Sequence, residues 1–101
     1  MTENMDILTW LQDWYLKQCD GDWEHGYTIH IGGLDNPGWM VDIHLEGTSL
    51  EDKTMPPVEI DRSDSDWIFC KIEGNVFKGR SGPKQLGDIL EVFRSWVENR
   101  A

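Results

Sequence analysis

Residues 39–46 alternate between two kinds of side chain, and this alternation restricts the possible folds more than any other feature. Bulky apolar residues stand at every second position, with mostly polar residues between them: Trp39, Val41, Ile43 and Leu45 against Met40, Asp42, His44 and Glu46. A period of two is that of a β-strand with one buried face. Because a single strand cannot bury such a face, the chain needs a sheet with a second layer packed on it.

Helical periodicity near both ends of the chain predicts that second layer. We expect a first helix over residues 5–17, with Asn4 as its N-cap and Gly21 as its stop. Its apolar positions fall at helical spacing: Ile7, Leu8, Leu11 and Tyr15, with Trp10 and Trp14 one turn apart beside them. We expect a second helix to begin at Pro83, a residue that suits the first helical position. Its apolar positions continue to the end of the chain: Leu86, Ile89, Leu90, Phe93, Trp96 and Val97.

Three further alternating stretches between the helices predict additional strands, over residues 27–32, 58–62 and 66–73. The first of these is expected to pair with residues 39–46 as an antiparallel hairpin, because residues 33–38 are rich in turn-forming Gly, Asn and Pro.

Gly and Pro residues indicate the remaining turns and loops between the predicted strands and helices. Gly74-Asn75 predicts a two-residue hairpin turn that sets Ile72 opposite Phe77. We expect loops at residues 47–57 and 79–82. The sequence therefore predicts an α+β fold: an N-terminal helix, a mainly antiparallel sheet of about five strands and a C-terminal helix, in one domain over residues 1–101.

The charge of the chain is strongly negative and unevenly distributed. Its 9 Lys and Arg residues against 19 Asp and Glu residues give a formal net charge of −10. Residues 1–70 hold fifteen acids and three bases, whereas residues 71–101 hold four acids and six bases. This balance disfavours direct binding of nucleic acid, whose phosphates would be repelled, and favours a basic protein partner. The alternative is that the charge only keeps the domain soluble.

The cellular location follows from what the sequence lacks. No apolar stretch reaches the roughly 18 residues of a membrane span. The first residues are acidic and differ from a secretory signal. We therefore expect an intracellular protein with Cys19 and Cys70 as free, reduced thiols.

The densest polar cluster is residues 20–25, in which the carboxylates of Asp20, Asp22 and Glu24 alternate with Gly21, Trp23 and His25. The spacing resembles the start of a calcium loop, but the sixth position is His25 rather than Gly and the twelfth is Ile31 rather than Glu. One interpretation is a partner-facing acidic loop anchored by Trp23. The alternative is a solvated loop whose acids cap backbone amides and whose Trp tucks inward.

Histidines suggest a second class of function. His30, Asp42 and His44 are expected on one outward sheet face, a set that could hold zinc, although no CxxC or HExxH spacing accompanies it. A small metal- or ligand-binding domain that uses His25, His30 or His44 is therefore the alternative to a protein-binding domain.

Catalytic chemistry finds little support in the sequence. Cys70 is expected in mid-strand on the core face, where a thiol is usually inert, and Ser65 has no Gly-x-Ser-x-Gly context. No phosphate-cradling glycine loop occurs. We therefore predict a non-enzymatic protein with no catalytic residue.

Trp67 is the strongest candidate for an exposed contact residue. It is expected on the sheet face opposite Ile68 and Cys70, near the acids Asp64 and Asp66. A Trp on an open antiparallel face among carboxylates is typical of a protein-binding hot spot. The alternative is that a second layer, such as a helix, covers it.

The chain resembles the immunity protein 53 family, small bacterial proteins encoded beside polymorphic toxins, over about residues 8–96. The most specific segments are Trp23-Glu24-His25 and Asp35-Asn36-Pro37-Gly38-Trp39. Further matching segments are Trp14-Tyr15, Cys19-Asp20-Gly21-Asp22, Asp66-Trp67-Ile68, Phe77-Lys78-Gly79 and the closing Leu86, Leu90, Phe93 and Trp96.

The resemblance implies an antitoxin that binds its cognate toxin in the cytoplasm of the producing cell, with no cofactor. Together with the acidity of the chain, it suggests a basic toxin such as a nuclease. We expect the toxin-binding residues to be Asp20, Asp22, Trp23, Glu24, His25, Asp64, Asp66 and Trp67.

Overall fold

The computed structural model describes residues 6–99 and confirms the predicted α+β architecture. Helix α1 spans Ile7–Gln18 and helix α2 spans Leu86–Glu98. Five strands lie between them: β1 Ile29–Leu34, β2 Gly38–His44, β3 Val58–Ser63, β4 Asp66–Glu73 and β5 Val76–Ser81. A single 3-10 turn, Trp23–His25, lies between α1 and β1.

The strands form one antiparallel sheet in the order β1-β2-β5-β4-β3, so β1 and β3 are its edges. The predicted hairpin between the first two strands is confirmed, with Leu34 opposite Gly38. At the β4–β5 turn, both Gly74 and Asn75 have positive φ, as a tight hairpin turn of the mirror-image type requires. Ile72 lies opposite Phe77, as predicted.

Both helices lie on the same side of the sheet: α2 packs on its central strands, and α1 packs mainly against α2. Alternate residues of the central strands meet α1 and α2 in a core that includes Val41, Ile43, Ile68, Cys70, Phe77, Trp10, Ile89 and Phe93. Aromatic rings join the layers: Phe93 lies 5.0 Å from Trp14 and 5.1 Å from Phe77 between ring centroids. The opposite face carries no helix within residues 6–99, and we call it the helix-free face. It presents Met40, Asp42, His44, Trp67, Phe69, Lys71, Lys78 and Arg80.

The predicted loop at residues 79–82 is wrong, because Gly79 and Ser81 belong to β5. Gly79 is a strand residue that faces Ile89 of α2 so closely that a side chain there would collide with it. The glycine therefore permits close helix–sheet packing. The helix also starts later than predicted, at Leu86 rather than Pro83.

The boundaries of α1 and β1 differ slightly from expectation. The Asp6 side chain accepts hydrogen bonds from the backbone N–H groups of Leu8 and Thr9, so it caps α1. The predicted cap Asn4 lies outside the described residues. The first strand of the hairpin starts later than predicted: Tyr27 precedes β1 and is 76% exposed. The structure shows no helix within residues 6–99 that is long and apolar enough to cross a membrane.

Candidate partner-binding surface

Trp67 lies on the helix-free face, as the alternation in β4 predicted. Its chain neighbours Asp66 and Ile68 point the other way, and Ile68 is buried. The next outward residue on β4 is Phe69, so two aromatic side chains stand side by side on this face, each half-buried. No helix of residues 6–99 covers them. The indole N–H of Trp67 has no acceptor within those residues, whereas Trp39 donates to the carbonyl of Pro83.

Trp67 borders a groove of about 290 Å³ at the β3–β4 side of the sheet, which we call the Trp67 groove. It is lined by Asn36, Glu59, Ile60, Asp61, Ser63, Asp64, Trp67, Ile68 and Phe69. Strand register explains two of the carboxylates, since Asp61 lies opposite Trp67 and Glu59 lies opposite Phe69.

The Trp67 groove is lined by negative charge. Glu59, Asp61 and Asp64 are exposed acids, and no Lys or Arg of the described part of the chain lines the groove. None of the three forms an ion pair within residues 6–99. A lysine or arginine from another protein would find unpaired carboxylates beside an aromatic face, an arrangement that attracts cations.

Asp66 was predicted as part of the same site, but it plays a different part. Its carboxylate accepts a hydrogen bond from Arg62 at 2.9 Å, within an exposed ion pair that spans the β3–β4 turn. Asp66 does not line the groove. Asp64, in the turn itself, does.

The acidic loop at residues 20–25 is organised by its own carboxylates. Asp20 accepts hydrogen bonds from the backbone N–H groups of Trp23, at 3.1 Å, and Asp22, at 3.0 Å. Glu24 accepts from those of Asp20, at 2.9 Å, and Gly21, at 2.7 Å. The hydrogen bonds from Trp23 and Asp22 lower the pKa of Asp20. Those from its own N–H, Asp20 and Gly21 lower the pKa of Glu24. These two acids therefore shape the turn.

Trp23 is a core residue, which corrects its interpretation as an exposed anchor. Only 7% of its surface is exposed. Its ring meets Trp14 edge-on at 5.7 Å and Tyr15 at 5.4 Å between centroids. Its indole N–H donates to the carbonyl of His44 at 3.1 Å. The aromatic residues of α1 pack against the apolar part of the indole, and the His44 carbonyl accepts its N–H. The side chain can therefore be buried.

The structure separates the two predicted groups of site residues. Trp23 is tied to His44, at the end of β2, whereas Trp67 is level with Gly38, at its start. The two points lie roughly 20 Å apart along the strand. Asp22 and His25 are exposed on the far loop. The predicted residues therefore do not form one contiguous patch.

The predicted outward set of His30, Asp42 and His44 does share one face. His30 lies opposite Asp42, and the two imidazole centroids are 6.3 Å apart. Asp42, however, binds Arg80 at 2.9 Å. Tyr27 lies beside both histidine rings. Among residues 6–99 no three His, Cys, Asp or Glu side chains converge as metal ligands.

The two cysteines are free thiols, as expected. Cys70 is fully buried under α2, and burial raises the pKa of its thiol to about 12. A thiol with that pKa is almost entirely protonated at neutral pH and is a poor nucleophile.

The alternation in β4 already puts Phe69 on the same face as Trp67, whereas sequence reasoning missed the basic centre of the helix-free face. Phe69 stands next to Trp67, and Arg80, Lys78 and Lys71 occupy the middle strands. The alternation of Phe77, Gly79 and Ser81 with basic residues carried this signal, but the glycine obscured it.

The family model described as immunity protein 53 matches residues 8–98, nearly the whole chain. No curated protein and no solved structure matches the chain.

Proposed function

We propose that this chain, which belongs to the immunity protein 53 family, binds a cognate bacterial toxin and neutralises it by direct protein–protein contact. The family supports the immunity role, and the match runs from the first turn of α1 to the last residue of α2. The proposal therefore applies to the complete fold rather than to one part of it.

The position of Trp67 is the observation that best supports direct contact with the toxin. Trp67 is a large, half-buried aromatic residue on the helix-free face, and within residues 6–99 its indole N–H and the three carboxylates around its groove have no partner. Trp is the residue type most enriched at energetically dominant interface positions. We infer that the Trp67 groove is the centre of the toxin contact, with Phe69 extending its apolar floor.

The charge of the chain indicates the class of toxin. A net charge of −10 accelerates association with a basic partner and disfavours acidic ones. Toxins that act on nucleic acids need a basic cleft to hold phosphates. We infer that the target is a basic toxin such as a nuclease. A Lys or Arg from its cleft, or from the rim of that cleft, inserts into the Trp67 groove.

Inhibition by occlusion needs no chemistry from this chain. The buried thiol of Cys70 is protonated and lies on the core face, away from the Trp67 groove. We infer a binding protein rather than an enzyme.

A pull-down with the tagged chain from its native bacterium, at low and at high salt, tests the proposal. We expect one basic toxin fragment that salt releases, since screening weakens attraction between charged surfaces. Recovery of no toxin, although the toxin is expressed and the tagged chain is folded, would contradict the immunity role. Recovery of an acidic toxin, or of a complex insensitive to salt, would contradict the electrostatic part.

A further inference from the structure

We propose that the free edge of β1 accepts an extended strand of the toxin, which continues the sheet beyond its first strand. This inference rests on the proposed function and adds to it a backbone contact distinct from the Trp67 groove. It follows from a difference between the two edges of the sheet.

The edge strand β3 is protected against pairing. Pro56-Pro57 precedes it, and its register with β4 is irregular between Asp61 and Ser63. It carries the charged side chains of Glu59, Asp61 and Arg62. Prolines, charges and irregularities are the usual devices that prevent a sheet edge from pairing with another chain.

The edge strand β1 has none of these devices. Its six residues are Ile-His-Ile-Gly-Gly-Leu, without Lys, Arg, Asp, Glu or Pro. They pair with β2 in unbroken register from Ile29 to Leu34. Ile31 is 44% exposed at the edge. A regular, uncharged and exposed edge is a template for strand addition.

The hydrogen-bonding pattern identifies which groups are available. The N–H of His44 donates to the carbonyl of Thr28 at 2.8 Å, so Thr28 directs its backbone groups toward β2. In an antiparallel pair this direction alternates along the strand. Ile29, Ile31 and Gly33 therefore direct their N–H and C=O groups away from β2, where no strand of residues 6–99 pairs with them.

Gly33 supplies an independent observation. Its φ lies outside the left-handed region that favours glycine, and a Cβ there would meet nothing nearer than the Gly38 carbonyl oxygen at 4.0 Å. Nothing within the described fold thus requires glycine at this position, although glycine weakens a strand. A glycine in a strand often marks the place where another backbone approaches closely, and Gly33 directs its amide to the open edge.

Charge identifies the occupant. A second copy of this chain would bring another charge of −10 to the same edge, which self-repulsion disfavours. Acids flank β1 at both ends: Asp35 follows it, and a hollow of about 250 Å³ near its start contains two more. That hollow is lined by Asp22, Trp23, Gly26, Tyr27, His44 and Glu46. A toxin strand with Lys or Arg near its ends fits this arrangement.

The edge is also continuous with the surface proposed above. Residues 35–37 connect β1 to β2, and Asn36 of this turn lines the Trp67 groove. One toxin domain could therefore contact both the groove and the edge.

The test uses the proposed cognate toxin domain and two pairs of matched variants. Ile31→Pro removes one outward N–H at an edge position where proline is tolerated, whereas Ile31→Val keeps it. Gly33→Ala adds a methyl group on the sheet face beside the open edge. Gly87→Ala adds one on α2, where a Cβ meets nothing within 4 Å.

We expect Ile31→Pro to weaken toxin binding roughly tenfold or more in isothermal titration, since it removes one backbone hydrogen bond. Gly33→Ala should weaken it as well, because its methyl group fills the space on the sheet face where the toxin chain would approach closely. Ile31→Val and Gly87→Ala should bind like the wild type, and all four variants should remain folded by circular dichroism. In the complex, hydrogen exchange should slow at the amides of Ile29, Ile31 and Gly33.

If all four variants bind the toxin with wild-type affinity, and the β1 amides gain no protection from hydrogen exchange, the edge inference is overturned and the immunity role is left intact. No binding of the toxin domain by the folded wild type would overturn both. If the wild type sediments as a dimer and these amides are protected in the absence of toxin, the edge pairs with a second copy of the chain. That result would overturn the inference that it accepts a toxin strand.

Discussion

Trp67 on β4 lies directly opposite Asp61 on β3, and both side chains border the same groove on the helix-free face. The indole is half-buried and the carboxylate is exposed. In a complex with a basic protein, desolvated aromatic residues determine how tightly the partner is held, and exposed charges determine mainly how fast it arrives. Trp67 and Asp61 are therefore expected to have separable effects.

Removal of the groove charges should slow association. Asp61→Asn combined with Asp64→Asn should lower the association rate for the toxin severalfold at low salt and reduce its salt dependence, with a smaller effect on dissociation. Surface plasmon resonance across a salt series measures both rates. Asp13→Asn, on the exposed side of α1, is the matched control and should change little. An unchanged association rate in the double variant would contradict this role.

Replacement of Trp23 should affect folding rather than toxin recognition. Trp23→Ala removes a buried ring and its hydrogen bond to His44, so the free energy of unfolding in urea should fall by about 3–5 kcal/mol. Trp23→Phe keeps much of the packing and should lose less. The folded fraction of Trp23→Phe should bind toxin normally. Normal stability combined with weak binding would restore Trp23 as a contact residue.

The loop at residues 20–25 should make stability depend on pH in the acid range. Hydrogen bonds from backbone N–H groups lower the pKa of Asp20 and of Glu24 from ordinary values of 3.8 and 4.5. A lowered pKa in the folded state stabilises the fold above the ordinary value, and this contribution is lost as the pH falls through the folded-state pKa.

Urea unfolding between pH 7 and pH 3 measures this dependence. The double variant Asp20→Asn with Glu24→Gln should be less stable at pH 7 and should lose less stability on acidification than the wild type. Parallel curves for the two proteins would exclude a role for these carboxylates in holding the turn.

Cys70 should be unreactive while the chain is folded. Burial raises the pKa of its thiol to about 12, so a thiol reagent at pH 8 meets almost no thiolate at this position. Mass spectrometry after timed labelling should show modification of Cys70 only in denaturant. Rapid labelling of Cys70 in the native protein would contradict its burial and reopen a chemical role.

The fold was largely predictable because its elements repeat simple periods. The alternation in residues 39–46 and the helical spacing from Leu86 to Val97 depend only on which side of an element is buried. Gly79 shows where such reasoning fails: the sequence suggests a loop, but the glycine is required by Ile89, a contact between distant parts of the chain. A pattern within one element contains no information about such a contact.

The candidate site was predictable only in part, for the same reason. Trp23 and Trp67 each follow an aspartate, and sequence alone assigned both to the interface. The structure places Trp23 against Trp14 of α1 and leaves Trp67 on the helix-free face, which no helix of residues 6–99 covers. Which side of the sheet the helices cover depends on the tertiary fold, whereas the place of Phe69 beside Trp67 follows from the alternation within β4.

Isothermal titration of the Trp67→Ala variant against the proposed cognate toxin domain tests most directly whether the Trp67 groove is the centre of the contact. We expect a loss of about 2 kcal/mol or more, roughly 30-fold in Kd, with little change in the free energy of unfolding. Leu16→Ala, a truncation on α1 of a side chain that is 66% exposed, is the control and should bind like the wild type. Wild-type affinity of a folded Trp67→Ala variant would contradict the Trp67 groove as the centre of the toxin contact.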